Sequence, residues 1–477
     1  MVYDYDLVVI GGGAAGLVAS KFAAGVGRKV ALIEKSRLGG ECTLDGCVPS
    51  KTLIKTARVF HEMNGAKRVG LDVKQPIPVT KEGILPHVRS VVEAVYEGHT
   101  PEVIERLGIW VIIGSPRFRD NHRLEIGDTM LSARTFIIAT GSSPLVPSIP
   151  GLDSVPFLTN ETLFGLRRLP GSLIILGGGP IGIEMAQAFS YLGVVVTVVE
   201  MGAQILVRED RELSGLLADR LSRQGVALRT GSKAVAAAWI DNSVELTVEE
   251  PDGRRSRIEA EALLAAVGRR GNVNSLGLEA AGVEYSQKGI KVDERLRTTA
   301  GNIYACGDVA GPYQFSHMAE YQARIAARNA LLPLTQAADY SNYIWCTFTD
   351  PEFAHAGLTE DEARERTGDR VRVFRWRYGD TDRGRTEADE FGVAKFICDR
   401  SYRLLGAHIL GARAGELIHE AQVIKTFGIP FHKLDSVIHI YPTFSDVIKQ
   451  PAKMSRIDRL QGSFLVRAAR KLLVRKG

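Results

Sequence analysis

One pattern, repeated at a fixed interval, constrains the fold of this 477-residue chain more than any other feature. Leu7-Val8-Val9-Ile10 is a short β-branched run that enters Gly11-Gly12-Gly13-Ala14-Ala15-Gly16. Helical spacing over residues 17–24 leads to a second apolar run, residues 29–33, closed by Glu34. The unit recurs: residues 173–176 run into Gly177-Gly178-Gly179-Pro180-Ile181-Gly182, then a helical stretch, then residues 194–199 closed by Glu200. First glycine and closing acid stand 23 positions apart in both copies. Strand, glycine-rich turn, helix, strand and acid together make a dinucleotide-binding βαβ unit. The glycines let the backbone approach a pyrophosphate at the helix N-terminus, and the acid accepts hydrogen bonds from a ribose diol. One such turn is a weak indication. Two copies at one spacing predict two dinucleotide sites and an α/β fold with two Rossmann-like domains. Two dinucleotides on one chain suggest an electron relay between them. The carboxylate of Glu200 would repel a 2′-phosphate, so the second site is expected to take NAD(H) in preference to NADP(H).

Composition narrows the setting. Hydrophobic residues make up 45% of the chain and charged residues 24%, proportions of a globular protein rather than a disordered or fibrous one. No apolar run approaches the roughly 20 residues of a membrane-spanning helix. The start of the chain, with Asp4 and Asp6 running into a strand, does not read as a signal peptide. Five cysteines cannot form a disulfide framework, which points to a reducing, cytoplasmic setting. The net charge of +5 is unevenly placed: residues 447–477 hold nine Lys or Arg against Asp458 alone, leaving −3 for the rest. Ile457, Leu460, Phe464, Ala468 and Leu472 recur there at helical spacing, so this end reads as an imperfect amphipathic basic helix. Two readings stand: a solvated helix packed on its own domain, or a contact surface for an acidic partner or acidic lipid, peripheral at a membrane. Nucleic acid is not an expected partner, because only Phe464 interleaves a ring with these charges.

The segment that carries chemistry follows the first unit: Gly39-Gly40-Glu41-Cys42-Thr43-Leu44-Asp45-Gly46-Cys47-Val48-Pro49-Ser50-Lys51. Four residues separate the cysteines, a distance one helical turn can close into a disulfide. No His or third Cys lies within ten residues, so zinc is not expected there, and no metal site is expected in the chain. A redox pair beside a dinucleotide is the preferred reading over two unrelated buried thiols. Cys306, Cys346 and Cys398 stand alone and read as small buried hydrophobes.

With these residues in place, the chain resembles the class I flavoprotein disulfide reductases. These are the pyridine nucleotide-disulfide oxidoreductases, among them dihydrolipoamide dehydrogenase, glutathione reductase and mercuric reductase. The resemblance extends to about Ile448. Gly11, Gly13, Gly16 and Glu34 fall on the family's FAD fingerprint, and Ala139-Thr140-Gly141 and Ile303-Tyr304-Ala305-Cys306-Gly307-Asp308 on its other FAD motifs. Gly177, Gly179, Gly182, Glu200, Gly268 and Arg269 fall on the NAD motifs, and Cys42 and Cys47 on the redox disulfide. Phe348-Thr349-Asp350-Pro351-Glu352 is similar to the start of the dimerisation domain. The resemblance implies tightly but non-covalently bound FAD, NADH as reductant, and electrons passed from flavin to a Cys42–Cys47 disulfide. It makes Cys47 the flavin-proximal thiol and Cys42 the thiol that exchanges with substrate. Lys51 would lie beside the flavin, with Glu184 as its ion-pair partner. It also implies a homodimer with shared active sites. The chain then divides into an FAD-binding part (1–150), an NAD-binding part (151–273), a central part completing the FAD site (274–342), an α+β dimerisation domain (343–448) and a basic tail (449–477).

The chain departs from the family at H-P-T-x-x-E, whose His and Glu serve the partner's cysteines as an acid–base pair. Here the segment reads His439-Ile440-Tyr441-Pro442-Thr443-Phe444-Ser445-Asp446, so Tyr441 replaces the histidine and Asp446 the glutamate. A phenol with a pKa near 10 is a poor base at neutral pH. Without that base, thiol–disulfide exchange is expected to lose roughly 10²–10⁴-fold. His439 reads as structural. Tyrosine at this position resembles mercuric reductase, yet no cysteine follows Cys398 to hand a metal ion inward. In NADPH-using relatives arginines would fall at Met201 and Val207, and neither is basic here. The leading expectation is a dihydrolipoamide-dehydrogenase-like enzyme passing electrons to a lipoyl group or another small-molecule acceptor. The alternatives are mercuric-reductase-like reduction of a metal ion, and electron donation at a membrane surface to a quinone or partner protein.

Overall fold

The computed structural model describes residues 2–72 and 81–462. The first βαβ unit runs as strand Tyr5–Ile10, helix Ala14–Gly25 and strand Val30–Glu34, the two strands parallel with Ile10 opposite Ile33. Every residue of Val30–Glu34 is buried, as a strand covered on both faces must be. Strands Ile109–Ile113, Val30–Glu34, Tyr5–Ile10 and Thr129–Ile138 lie side by side in that order. Strand Ile303–Ala305 then pairs in parallel with Thr129–Ile138, so a segment from far along the chain completes the first sheet.

The second unit repeats this pattern in strand Ser172–Leu176, helix Pro180–Tyr191 and strand Val195–Val199. Strands Ala227–Arg229 and Ala262–Ala265 flank it on either side. An antiparallel sheet of Lys233–Ile240, Ser243–Glu249 and Arg255–Ala260 packs on it through Val244, Leu246 and Val248 against Ile174 and Leu176. The third body is an antiparallel sheet ordered Ile344–Thr347, Glu352–Gly357, Leu404–Gly411, Val393–Cys398, Arg372–Arg377. Helices Ala414–Thr426 and Asp446–Gly462 close its core around Phe396, Phe431 and Ile409.

The basic end differs from expectation. One helix, Asp446–Gly462, runs unbroken across the boundary expected at residue 448. Its buried stripe is Val447, Ile448, Pro451, Ala452 and Ser455, whereas Ile457 and Leu460 are exposed. That face packs on the core of the third body, where Val447, Ile448 and Ala452 join Phe396 and Phe431. Three charges of this helix are used locally. Arg456 donates to Asp435 at 2.7 Å, Arg459 meets His432 at 2.6 Å, and Asp458 accepts from Arg372 at 2.5 Å and Tyr402 at 2.8 Å. Phe464, Ala468, Leu472 and the charges beyond Gly462 lie outside the described residues. Among the described residues no helix is long and apolar enough to cross a membrane.

Candidate functional site

The two glycine-rich turns have the same construction. Gly11 and Gly177 both adopt a φ of 104°, in the left-handed region that glycine alone enters without strain. A Cβ there would overlap the carbonyl oxygens of Ala139 and Ala266, and one at Gly16 or Gly182 would overlap those of Gly11 and Gly177. Gly13 and Gly179 precede the two helices, and among the described residues no side chain caps either N-terminus and no acid occupies either first turn. The first-turn N–H groups and the helix dipole are thus left to an anion. Glu34 accepts from Gly12 N at 2.7 Å and Ser36 N at 3.0 Å; Glu200 accepts from Gly178 N at 2.6 Å and Gly202 N at 2.5 Å. Each acid therefore holds its turn in shape at the tip of the second strand, where a ribose would lie. These cradles fit two dinucleotides. Beside the second, Met201 and Val207 are exposed and uncharged.

At the first site, Thr140 Oγ1 donates to Asn272 O at 2.7 Å, Gly141 takes a φ of 71°, and Asp308 accepts from Ser142 Oγ at 2.6 Å. Arg269, expected with the second dinucleotide, is placed elsewhere. Strand Arg269–Gly271 pairs antiparallel with Ser142–Pro144, which carries the guanidinium to the first site's edge. There it donates to Ser142 Oγ at 2.8 Å, pairs with Glu41 and lies 3.9 Å from Asp308. The Gly268 carbonyl accepts from Leu145 N at 2.9 Å, beside the same pairing, while Ala266 and Val267 just before it abut Gly177. Asn160 Nδ2 donates to the other Glu41 oxygen at 2.7 Å. Burial outweighs the attraction of Arg269 and pushes Glu41 up to about 7. Sequence reasoning missed Glu41, Ser142 and Asn160, because no spacing links positions this far apart.

Cys42 lies in the short helix Gly40–Leu44, and Cys47 opens the helix Cys47–Asn64. Both are free thiols, Cys47 the more exposed. The Cys42 thiol donates to Cys47, and this bond, with Lys51 and Ser316 helping against burial, lowers Cys47 to about 6. The same bond, with burial, drives Cys42 far upward. Its place at a helix N-terminus adds to the case for a Cys47 thiolate. Ser316 Oγ, at the start of helix Ser316–Leu331, is 3.6 Å from Cys47 Sγ and had no signal in the sequence. One turn along from Cys47, Lys51 Nζ donates to Glu184 Oε2 at 2.8 Å and lies 4.6 Å from the Phe348 ring centre. Glu184 is buried, its other oxygen accepting from Phe348 N at 2.8 Å. Burial opposes the Lys51 charge, but Glu184 and then Cys47 hold its pKa above the ordinary value.

Tyr441 and Asp446 are not brought to the cysteines of their own chain by any contact among the described residues. Tyr441 is 68% exposed and donates to Asp382 Oδ2 at 2.7 Å, a bond that raises its pKa and keeps it a neutral phenol. Asp446 opens the last helix. Ile438 and Ile440 beside them are 98% and 81% exposed, an apolar surface of the kind that a second subunit covers. His439 bonds Glu420 at 2.9 Å and Val437 O at 2.9 Å, holding the segment from within. Cys306 and Cys398 are fully buried, burial pushing Cys306 up to about 12, so neither competes as a nucleophile.

Comparison with known proteins agrees with this geometry. Residues 5–323 match the family described as pyridine nucleotide-disulphide oxidoreductase, and residues 343–452 match its dimerisation domain. The chain is 34% identical over 452 residues to a mercuric reductase of Bacillus cereus, covering 94% of this chain and 71% of that protein. It is 33% identical over 465 residues to a dihydrolipoyl dehydrogenase of Thermus scotoductus, covering 94% and 97%. Among solved structures it is similar to the HOCl-induced flavoprotein disulfide reductase RclA from Escherichia coli, with a TM-score of 0.85 and 31% identity, covering 94% of this chain and 99% of that one.

Proposed function

The chain belongs to the pyridine nucleotide-disulphide oxidoreductase family, an FAD- and NAD(P)H-using group whose dimerisation domain supports a homodimer. From that premise we propose that it takes two electrons from NADH into a Cys42–Cys47 disulfide and passes them to a lipoyl-type or other small disulfide acceptor. The observation that carries this reading is the placement of the pair: Cys47 opens helix Cys47–Asn64, with Ser316 Oγ at 3.6 Å and the Lys51–Glu184 ion pair one turn along, and Cys42 stands in the short helix just before it. Two electrons and one proton added to the disulfide yield one thiolate and one thiol, and the Cys42 hydrogen bond and Lys51, which lower the Cys47 pKa, support Cys47 as the thiolate. When bound, the flavin supplies the two-electron relay from nicotinamide to the pair. Gly11, Gly13, Gly16, Glu34, Thr140, Gly141 and Asp308 would hold it; Gly177, Gly179, Gly182, Gly268 and Glu200 would hold NADH.

Lys51 and Glu184 keep a fixed cation beside Cys47, so the negative sulfur is stabilised after S–S cleavage. Cys42, the outer thiol, must lose its proton to attack an acceptor. Tyr441 and Asp446 of the partner subunit are the groups assigned to that step, and a neutral phenol donates protons better than it removes them. This favours a second reading, in which the acceptor is a soft metal ion that both sulfurs bind without general-base help. The test is to reduce the purified enzyme with one equivalent of NADH and record its spectrum. Long-wavelength absorbance from a Cys47 thiolate against the flavin is expected. Reoxidation by lipoamide, glutathione disulfide, Hg(II) and quinones then ranks the acceptors. Absence of that absorbance in the wild type, or its persistence in Cys47→Ser, would overturn the assignment.

A further inference from the structure

Away from the cysteine pair, three buried side chains converge where the second dinucleotide-binding body meets the antiparallel sheet. Glu209 precedes helix Arg211–Arg223, His355 lies on strand Glu352–Gly357, and His408 lies directly opposite it on strand Leu404–Gly411. They are 5%, 1% and 0% exposed, and one ligand atom from each lies within 4.8 Å of the other two.

One ring nitrogen of this trio is left without a hydrogen-bond partner among the described residues. His355 Nδ1 is 2.8 Å from Glu209 Oε2, and its Nε2 is 2.7 Å from Gly357 O. Both ring nitrogens of His355 thus have an oxygen partner, Glu209 on one side and the Gly357 carbonyl on the other. His408 Nε2 meets Leu358 O at 2.9 Å, while its Nδ1 has no hydrogen-bond partner among the described residues. Buried polar atoms in native proteins are nearly always satisfied, so such an orphan requires an explanation.

One cation would satisfy that orphan and use the Glu209–His355 contact beside it. With a metal on the two Nδ1 atoms, each imidazole needs only its Nε2–H, and each already aims that group at a backbone carbonyl. The carboxylate is oriented in the same way, because Trp345 Nε1 donates to Glu209 Oε1 at 2.5 Å. Ligands whose far sides are fixed by backbone and side-chain hydrogen bonds are the usual surroundings of a bound metal. The nearby cation, Lys395, pairs across the strands with His408 but is already matched by Asp210, Glu212 and Glu360 at 2.8–2.9 Å.

We propose that Glu209, His355 and His408 bind one divalent transition-metal ion, zinc by its preference for two imidazoles and a carboxylate, and that this ion clamps the NAD-binding body to the dimerisation domain. The site departs from the expectation that the chain holds no metal. Glu209 and His355 are 146 positions apart, so no ligand-spacing motif announced it. Bonds of about 2.1 Å to zinc require the three side chains to shift by about an ångström.

The experiment uses flavin-loaded full-length protein carrying Cys42→Ser and Cys47→Ser, so the redox thiols bind nothing. After chelator treatment it is titrated with Zn(II) by calorimetry, with elemental analysis of the dialysed product. One zinc per chain and a zinc-dependent rise in Tm are expected, with affinity falling at least a hundredfold on adding Glu209→Gln or His408→Gln. Glu209→Gln keeps the side chain's volume and the Trp345 bond, so with flavin content as a folding check it separates loss of a ligand from loss of the fold. Failure of the serine double variant to bind zinc would overturn the proposal, as would unchanged binding in Glu209→Gln.

Discussion

Replacing Lys51 with methionine keeps the length of the stem and deletes the ammonium. In the folded protein that ammonium is 2.8 Å from Glu184 Oε2, and Glu184 is 5% exposed with only the Phe348 N–H on its other oxygen. Stripping one partner from a fully buried pair costs about 3–5 kcal/mol. The Lys51 side chain is 35% exposed, so water partly replaces it and a loss of about 2 kcal/mol is expected. Cys47 loses its neighbouring cation as well. Opposite charges within reach shift a pKa by about 1–3 units, and Lys51 ranks behind the Cys42 hydrogen bond, so a rise of about one unit from about 6 is expected. At pH 7 the thiolate fraction then falls from about nine-tenths to about half. The assay is the rate of iodoacetamide alkylation of the reduced enzyme as a function of pH. Cys42, with its pKa far above, does not compete in that window. Glu184→Gln should move the midpoint the other way, because its carboxylate raises Cys47. In the reduced protein this thiolate contributes its stabilisation fully above the ordinary 9.0, and that contribution is lost as pH falls through about 6. A midpoint in Lys51→Met within about 0.3 pH units of wild type, or one displaced downward, would refute the reasoning.

Four further outcomes are expected. Gly177→Ala, strained at a φ of 104° and overlapping the Ala266 carbonyl, should raise KM for NADH at least about tenfold at unchanged flavin content. Gly11→Ala should instead yield protein low in flavin, both read by flavin absorbance and steady-state kinetics. Glu200→Ala should lower the NADH-to-NADPH ratio of kcat/KM at least about tenfold, or about 1.4 kcal/mol; the ratio is the readout, because the carboxylate also braces Gly178 and Gly202. Tyr441→His should raise lipoamide turnover by about 10²-fold if the partner's cysteines lack only a base, and turnover assays showing no gain would remove Tyr441 from the site.

What was legible in the sequence was whatever local backbone geometry demands. Gly11 and Gly177 are glycines because of a conformation and a carbonyl that exclude a Cβ, so their spacing announces both turns without any knowledge of the rest. Lys51 and Glu184 are 133 positions apart, and family resemblance, not spacing, paired them. Arg269, expected with the second dinucleotide, lies instead against Ser142 and Glu41, because a short antiparallel pairing with Ser142–Pro144, invisible to any local pattern, decides where it points. The stripe through Ile457 and Leu460 is real in the sequence, but which face a helix buries is settled by the core it meets, and that core took Val447, Ile448 and Pro451.

Strand Ile303–Ala305, which joins the first sheet beside Thr129–Ile138, has a consequence for how the protein is made. Phe136 waits for Ile303, 167 positions later in synthesis, so the first body leaves the ribosome with an unpaired inner edge. The second βαβ body is complete in local sequence and can fold during that interval, whereas Asp308 reaches the first cradle only when the late strand docks. Flavin capture is therefore expected to come late in biogenesis, and a chain stalled before residue 303 is expected to expose that edge and to hold no flavin.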